Sequence, residues 1–233
     1  MSTATYIARR GQIETYFDRT AADKWERLTS DAPVSGIRAT VRAGRDRMRA
    51  MLLDWLPGDL RGRRILDAGC GTGAMAVELA RRGAHVVAID LSPTLVNVAR
   101  ERWPADTFAG SVEFHSGDML DAGLGRFDHV VSMDSLIHYK APDVVRAIAA
   151  LADRTSASMV FTFAPRTAML SVMHAVGRLF PRGDRAPAIE PVGEATIARL
   201  LGTDPALVCW QVGRTQRIVS GFYTSQAMEV RRP

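Results

Sequence analysis

The segment from Arg63 to Ala76, RRILDAGCGTGAMA, constrains the fold more than any other stretch of the chain. It predicts a short apolar strand that ends at Asp67, then a tight glycine-rich turn, then the alanine-rich start of a helix. Glycine suits such a turn because it tolerates positive φ and leaves the backbone N–H groups open to a ligand. The segment therefore predicts a ligand-binding turn at the carboxyl end of a strand.

Three acidic residues decide between two classes of ligand for this turn. The glycine pattern alone also fits the dinucleotide fingerprint, so a nicotinamide-dependent dehydrogenase is one alternative. Asp67 precedes the first glycine, Asp90 ends the run VVAID, and Asp118 stands in GDM. Because these acids accompany the glycine turn, the chain resembles the class I S-adenosylmethionine-dependent methyltransferases. The resemblance covers roughly residues 45–230. The resemblance implies S-adenosyl-L-methionine as cofactor, with its methionyl end, ribose hydroxyls and adenine meeting the three acids in that order.

The resemblance places further cofactor contacts around these acids. They are Arg42, Gly69, Gly71, Gly73, Leu91, Met119 and Met133. Arg42 is a candidate partner for the methionyl carboxylate because a guanidinium group binds a carboxylate through paired hydrogen bonds. Asp90 and Asp118 also have a structural interpretation, as caps of a helix and a loop.

Length and composition predict one folded domain and exclude some partners. A chain of 233 residues with 47% apolar residues is long enough to bury one substantial core. The net charge is +5, yet the arginine-rich stretch from Arg38 to Arg49 has no interleaved aromatic residue. No nucleic-acid partner is therefore expected. The stretch indicates either a solvated helix face or a docking surface for an anionic group.

The cysteines and the hydropathy pattern indicate the cellular compartment of the protein. Cys70 and Cys209 are too few and too far apart in sequence to indicate a disulfide framework or a zinc site. The polar start, MSTATYIARRGQIE, lacks the apolar core of a secretion signal, and no uncharged run is long enough to cross a bilayer. We expect a cytoplasmic protein.

From residue 63 onward, strand and helix patterns alternate, which predicts an α/β fold with a mostly parallel sheet covered on both faces. The predicted strands lie near residues 63–67, 84–89, 111–115, 127–133 and 157–163. The predicted helices lie near residues 37–56, 73–82, 93–102, 142–153 and 193–201. Two more strands, near residues 207–212 and 219–230, are joined by residues 213–217, and so short a connection permits only antiparallel pairing. The pattern predicts a Rossmann-like, seven-stranded sheet with a C-terminal antiparallel hairpin.

An amino-terminal helical arm is predicted for residues 1–36. Within it, residues 7–28 carry apolar side chains at nearly helical spacing, with Tyr16 and Trp25 added. One interpretation is a helix that packs on the core through its aromatic stripe. The alternative is that the two aromatic residues line a large, flat substrate site.

A lid insertion is predicted for residues 164–191, inside a methyltransferase domain of residues 37–233. Its helical stretch, which includes Met169 and Met173, is apolar on nearly all sides and must be covered. It is either an ordinary buried helix or an adaptable wall against a bulky apolar ligand, a role that suits methionine.

The end of the fourth predicted strand holds the candidate for acid–base chemistry. The segment SMDSLIHY places His138 and Tyr139 just after Met133, facing the crevice where open α/β sheets bind ligands. His138 is the leading candidate for a general base or an orienting donor, although histidines in such loops also serve structural roles.

Several segments beyond the glycine turn resemble the magnesium-protoporphyrin O-methyltransferases of bacteriochlorophyll synthesis. They are YFDRTAADKW, TVRAGR, SMDSLIHY, FAPRTAMLSVMHAVGRLFPRGDRAP and GFYTSQAMEV. The family esterifies one porphyrin propionate, and the resemblance implies that Tyr16 and His138 orient or deprotonate this acid. The substrate-binding residues that it implies are Trp25, Tyr139, Arg166, Met169 and Met173.

The resemblance also implies partners. The magnesium belongs to the substrate, so we expect no metal site in the protein. A magnesium chelatase subunit and peripheral contact with the membrane are the implied partners. The alternatives are a methyltransferase of another apolar acceptor, such as a quinone precursor, and a regulatory protein that binds the cofactor without turnover.

Overall fold

The computed structural model describes residues 3–19, 36–104, 108–166 and 188–233. The described helices are α1 (Ala4–Arg19), α2 (Gly36–Asp54), α3 (Ala74–Arg81), α4 (Pro93–Glu101), α5 (Ala141–Ala152) and α6 (Glu194–Thr203). The described strands are β1 (Arg64–Ala68), β2 (His85–Asp90), β3 (Ser111–Ser116), β4 (Phe127–Ser132), β5 (Thr155–Phe163), β6 (Gln211–Ser220) and β7 (Tyr223–Arg231). Short 3-10 turns lie at Ala122–Leu124, Leu136–His138 and Pro205–Leu207.

The described strands form one seven-stranded sheet in the order β3-β2-β1-β4-β5-β7-β6. Strands β1 to β5 pair in parallel, whereas β7 is antiparallel to both β5 and β6. The predicted α/β fold with a C-terminal antiparallel hairpin is confirmed. The strand order reverses direction at β1, so ligands are expected at the carboxyl ends of β1, β2 and β4.

Both faces of the central strands β1, β2, β4 and β5 are mostly buried, as expected for parallel strands covered by helices. Successive residues of a strand point to opposite faces. Ile65 accordingly packs in the cluster that holds Leu52 of α2, whereas Leu66 packs in the cluster that holds Ile148 of α5. The arm helix α1 adds Tyr6 to the second cluster, so it packs on the core.

Most of the predicted elements agree with the structure to within a few residues, and the predicted cap of α4 is present. Ser92 accepts a hydrogen bond from Leu95 N at 3.2 Å, and Pro93 is the first helical residue. The arm helix is described only as far as residue 19. The predicted lid lies largely outside the described residues, and the division into arm, domain and lid stays a prediction.

The predicted boundaries of the hairpin were wrong. Residues 213–217, predicted as the connection, lie within β6, and the chain turns instead at Gly221, which has φ +56°. Strand β6 is an edge strand with mostly exposed side chains, so polar residues such as Arg214 and Arg217 suit it. An apolar run is a poor guide to a strand of this kind.

Among the described helices, none is both long enough and apolar enough to cross a bilayer.

Candidate active site

The glycine turn after β1 brings two loops into close contact. Gly69 has φ +87°, and its N–H donates to the carbonyl oxygen of Ile89 at 2.8 Å. A Cβ atom at Gly69 would lie 2.3 Å from Oγ of Ser135, in the loop after β4. Only glycine allows both this φ angle and this approach, so the turn and the β4 loop form one continuous wall.

That wall encloses a cavity of about 380 Å³ at the carboxyl ends of the central strands. Its size is in the range of small-molecule sites. Nine of the predicted site residues line it, namely Arg42, Asp67, Gly69, Gly71, Asp90, Leu91, Met119, Met133 and His138. The structure therefore brings together residues from positions 42 to 138 that the sequence assigns to one site.

Asp67 and Asp90 form the acidic part of this cavity. Asp90 accepts hydrogen bonds from Gly71 N at 2.9 Å and Ser92 N at 3.0 Å, so it joins the glycine turn to the start of α4. A carboxylate oxygen has more than one lone pair, so these bonds leave Asp90 able to accept from hydroxyl groups as well.

Asp67 is buried, and its Oδ2 atom has no hydrogen-bond partner among the described residues. Burial, followed by the nearby charge of Asp90, raises the pKa of Asp67 to about 7. A buried carboxylate oxygen without a donor is unfavourable. The cavity thus offers a strong acceptor for a cationic or N–H-bearing ligand group.

Two predicted cofactor residues do not line the cavity. Asp118 accepts from Tyr6 Oη at 2.9 Å and from Arg10 Nη1 at 2.6 Å, both on the arm helix. Gly73 precedes α3 with φ +82°, and a Cβ atom there would lie 3.1 Å from the Cβ atom of Ala99. Gly73 therefore serves the packing of α3 against α4.

His138 lies in the 3-10 turn after β4 and is 6% exposed. Its Nδ1 atom is 3.4 Å from the carbonyl oxygen of Ala188. In the tautomer with the proton on Nδ1, the imidazole donates a hydrogen bond to this carbonyl oxygen. A neutral histidine in this tautomer has the lone pair that a general base requires.

The arm helix contributes Phe17, rather than Tyr16, to the cavity wall. The Phe17 ring lies 6.0 Å from the His138 ring, and Tyr16 packs edge-on against Phe17 at 5.1 Å. Tyr16 is partly buried, which raises the pKa of its hydroxyl. Tyr16 is therefore one aromatic ring removed from His138, and its catalytic role stays a prediction.

The predicted substrate-binding residues are dispersed. Tyr139 is buried and stacks on Tyr6 with ring centroids 4.9 Å apart, and burial raises the pKa of its hydroxyl. Arg166 is exposed, and its backbone N–H donates to Val192 O at 3.0 Å. Trp25, Met169 and Met173 lie outside the described residues.

The structure adds cavity residues that sequence reasoning missed. Ile13 and Phe17 come from the arm, and Arg45 and Asp134 from α2 and the loop after β4. The arm is held across the site because Asp18 accepts from Thr94 Oγ1 at 2.7 Å, at the start of α4. Apolar spacing indicated that Ile13 and Phe17 pack against other residues, but it could not indicate that they border this cavity.

The described residues were also compared for clusters of potential metal ligands. Within residues 3–19, 36–104, 108–166 and 188–233, no three His, Cys, Asp or Glu side chains are grouped as a metal site would require.

The sheet order, the glycine turn and the two acids define a class I methyltransferase fold. A family model described as a methyltransferase domain matches residues 65–157. A second model, described as the C-terminus of magnesium-protoporphyrin IX methyltransferase, matches residues 132–232. The chain is 49% identical to the magnesium-protoporphyrin O-methyltransferase of Rhodobacter capsulatus, over 97% of this chain and 98% of that protein. The chain belongs to the magnesium-protoporphyrin O-methyltransferase family.

A solved structure and a second group of relatives complete the comparison. The crystal structure of magnesium protoporphyrin IX methyltransferase from Synechocystis with bound SAH has a TM-score of 0.82 and 29% identity. The alignment covers 96% of this chain and all of that one. A ubiquinone biosynthesis O-methyltransferase from Xanthomonas oryzae is 34% identical over 78% of this chain and 77% of that protein.

Proposed function

We propose that the chain transfers the methyl group of S-adenosylmethionine to a propionate carboxylate of magnesium-protoporphyrin IX and forms the monomethyl ester. This is a step of bacteriochlorophyll synthesis. The observation that carries the proposal is the cavity at the glycine turn, in a chain that is 49% identical to the Rhodobacter capsulatus enzyme along nearly its whole length.

The residues of the cavity suit S-adenosylmethionine. The unpartnered Oδ2 atom of Asp67 is a matching acceptor for the methionyl ammonium group. Asp90 has carboxylate lone pairs for the ribose hydroxyls, and Leu91 and Met119 supply apolar surface for the adenine ring. Arg42 lines the same cavity and is assigned to the methionyl carboxylate.

When bound, S-adenosylmethionine supplies a methyl group that its sulfonium already activates. A propionate is ionised at neutral pH, so the acceptor requires orientation more than deprotonation. The tasks of the protein are to align the two groups and to exclude water. His138 and Tyr16 are assigned to orienting the acid or removing its residual proton.

The acceptor is assigned to the side of the cavity bordered by the arm. Phe17 and His138 already form an aromatic edge on that side. We assign Trp25, Tyr139, Arg166, Met169 and Met173 to the macrocycle and its propionates. The division into an arm at 1–36, a domain at 37–233 and a lid at 164–191 belongs to this proposal.

A quinone precursor is the second candidate acceptor, because the ubiquinone biosynthesis O-methyltransferase matches 78% of this chain. Initial rates of S-adenosylhomocysteine release with magnesium-protoporphyrin and with a catechol quinone precursor separate the two functions. The proposal expects release with the porphyrin and none above background with the catechol. Release with the catechol alone would reverse the assignment, and cofactor binding without release would indicate a regulatory protein.

Two partners also follow from the proposed function. A chelatase subunit that delivers its product directly would protect a poorly soluble porphyrin, and peripheral membrane contact suits the same substrate. For membrane contact, the exposed Ile37, Val219 and Phe222 lie around the β6–β7 turn, which Ser220 Oγ ties to Thr40 O at 2.9 Å. We therefore propose a cytoplasmic protein that touches the membrane through this turn.

Sedimentation with anionic vesicles tests the membrane contact. Phe222→Ser should reduce the bound fraction, and Val208→Ser, a still more exposed apolar site elsewhere, is the control. Stimulation of ester formation by added chelatase subunit, above that by an unrelated protein, tests the first partner.

A further inference from the structure

Asp134 has an unusual backbone conformation at the rim of the cavity. It is the non-glycine residue with positive φ, +54°, in the described part of the chain. Its side chain is 4% exposed. Aspartate tolerates this region better than most residues, yet such a conformation persists only where the surroundings impose it. The contacts of Asp134 therefore indicate what the conformation achieves.

The sheet supplies one set of contacts. The backbone N–H of Asp134 donates to Thr162 Oγ1 at 2.7 Å, on β5. Tyr223 Oη lies 3.1 and 3.2 Å from its two carboxylate oxygens, and Ser225 Oγ donates at 3.1 Å, both on β7. These bonds fix Asp134 relative to two strands, β5 and β7.

Helix α2 supplies the opposite contact. Arg45 Nη1 donates to Asp134 Oδ2 at 2.5 Å, and the arginine side chain is 17% exposed. The helix approaches closely because Gly44 faces the Tyr223 ring, where a Cβ atom would lie 2.5 Å from Cδ1. The Arg45 guanidinium is thus held by a buried acid while it lines the cavity.

A second arginine pair of α2 at the cavity differs from this one. Arg49 also lines the cavity, but it binds Asp46, whose side chain is 52% exposed. A solvated pair of this kind holds a side chain weakly. Arg45 is paired with a buried, multiply bonded carboxylate, so its position is much better defined.

We propose that Asp134 is a positioning residue that holds the Arg45 guanidinium in the cavity wall as a receptor for a ligand carboxylate. This inference rests on the proposed function, which has two such carboxylates, one on the methionyl end of the donor and one on the acceptor. A guanidinium group has several N–H donors in one plane, so it binds Asp134 and a second carboxylate together. Fixing that plane beforehand reduces the entropy lost on binding.

Asp134→Asn tests the inference because asparagine tolerates positive φ and has a similar shape but lacks the charge. The measured quantities are the Kd of S-adenosylhomocysteine by calorimetry and the KM for magnesium-protoporphyrin. We expect one of them to rise about tenfold, as for the loss of a charged hydrogen bond. A rise in Kd assigns the carboxylate to the donor, and a rise in KM assigns it to the acceptor.

Arg45→Gln should raise the same quantity, and the double variant should add little to either change, because both residues act through one group. Arg45→Lys should not restore binding, since an ammonium group lacks the planar fork. If Asp134→Asn does not fold, Tyr223→Phe, which removes one donor to Asp134, should cause a smaller change of the same kind.

Asp128→Asn is the matched control, because Asp128 lies at the opposite end of β4 and accepts from Arg64 N at 2.9 Å. It should lower the Tm without moving Kd or KM. If Asp134→Asn or its substitute behaves in the same way, Asp134 is a structural acid and the inference is wrong. If the wild-type protein does not bind S-adenosylhomocysteine, the proposed function itself fails.

Discussion

Asp67, the last residue but one of β1, and Asp90, the last of the neighbouring parallel strand β2, interact: the charge of Asp90 adds to burial in raising the pKa of Asp67 to about 7. When two buried carboxyl groups lie on neighbouring strands, their repulsion favours the neutral form of one of them. A cationic ligand reverses that preference. The relationship makes the cavity sensitive to pH near neutrality.

The first prediction concerns the affinity for S-adenosylmethionine as a function of pH. Below a pH of about 7, Asp67 is protonated in the empty protein, so binding of the ammonium group must release a proton. The Kd should rise as the pH falls through this region, with a limiting slope of about tenfold per pH unit. Calorimetry in buffers of different ionisation enthalpy measures the released proton.

Asp67→Asn is the control for this effect. The variant should bind more weakly at a pH of about 8 and should lose most of the pH dependence between about 6 and 8. An unchanged pH dependence in the variant would assign the proton to another group.

The second prediction concerns Asp90. Asp90→Ala should weaken binding of S-adenosylhomocysteine by about 1–3 kcal/mol, because the ribose hydroxyls and two backbone N–H groups lose their acceptor. Asp121→Ala, which removes a turn acceptor for Gly123 N outside the cavity, is the control and should leave affinity unchanged. Equal affinities in wild type and Asp90→Ala would remove Asp90 from the ribose site.

The third prediction separates chemistry from binding. His138→Ala should lower the kcat for ester formation by more than it changes the Kd of S-adenosylhomocysteine, because His138 is assigned to the acceptor. His85→Ala, an exposed histidine at the start of β2, should change neither quantity. Turnover at the wild-type rate would reduce His138 to a packing role beside Phe17.

The fourth prediction concerns the glycine turn. Gly69→Ala should lower the free energy of unfolding by about 1–3 kcal/mol from the strained positive φ alone. The clash of the new Cβ atom with Ser135 should lower it further. The same change should weaken cofactor binding by distorting the turn. Gly202→Ala in α6, where no atom lies within 4 Å of the added Cβ, should be neutral or stabilising in chemical denaturation. A stable Gly69→Ala protein with normal affinity would contradict the account of the turn.

The sequence predicted the buried parts of this fold well because each rests on local rules. Strand β1 is a short apolar run before glycines, and α4 begins with a serine cap and a proline. Burial on both faces of a parallel sheet leaves little freedom in where such segments end. Strand β6 was misplaced because an edge strand has no need of apolar residues on both faces.

Some residues of the candidate site were predictable from the sequence, and others were not. Asp67 and Asp90 were predictable from position, since both lie at the carboxyl ends of neighbouring parallel strands. The Arg45–Asp134 pair was not, because it joins residues 89 positions apart through a backbone conformation that no local pattern marks. The place of Phe17, between Tyr16 and the cavity, depends on the rotation of the arm helix about its own axis. Hydrophobic spacing alone does not fix that angle.

The most direct test of the central claim follows the methyl group. Purified protein is incubated with magnesium-protoporphyrin and S-adenosylmethionine labelled at the methyl carbon, and the product is analysed by mass spectrometry and carbon NMR. The account predicts a porphyrin with one labelled methyl group, at the chemical shift of a carboxylic ester. An unlabelled porphyrin, from protein shown to bind S-adenosylhomocysteine, would contradict it.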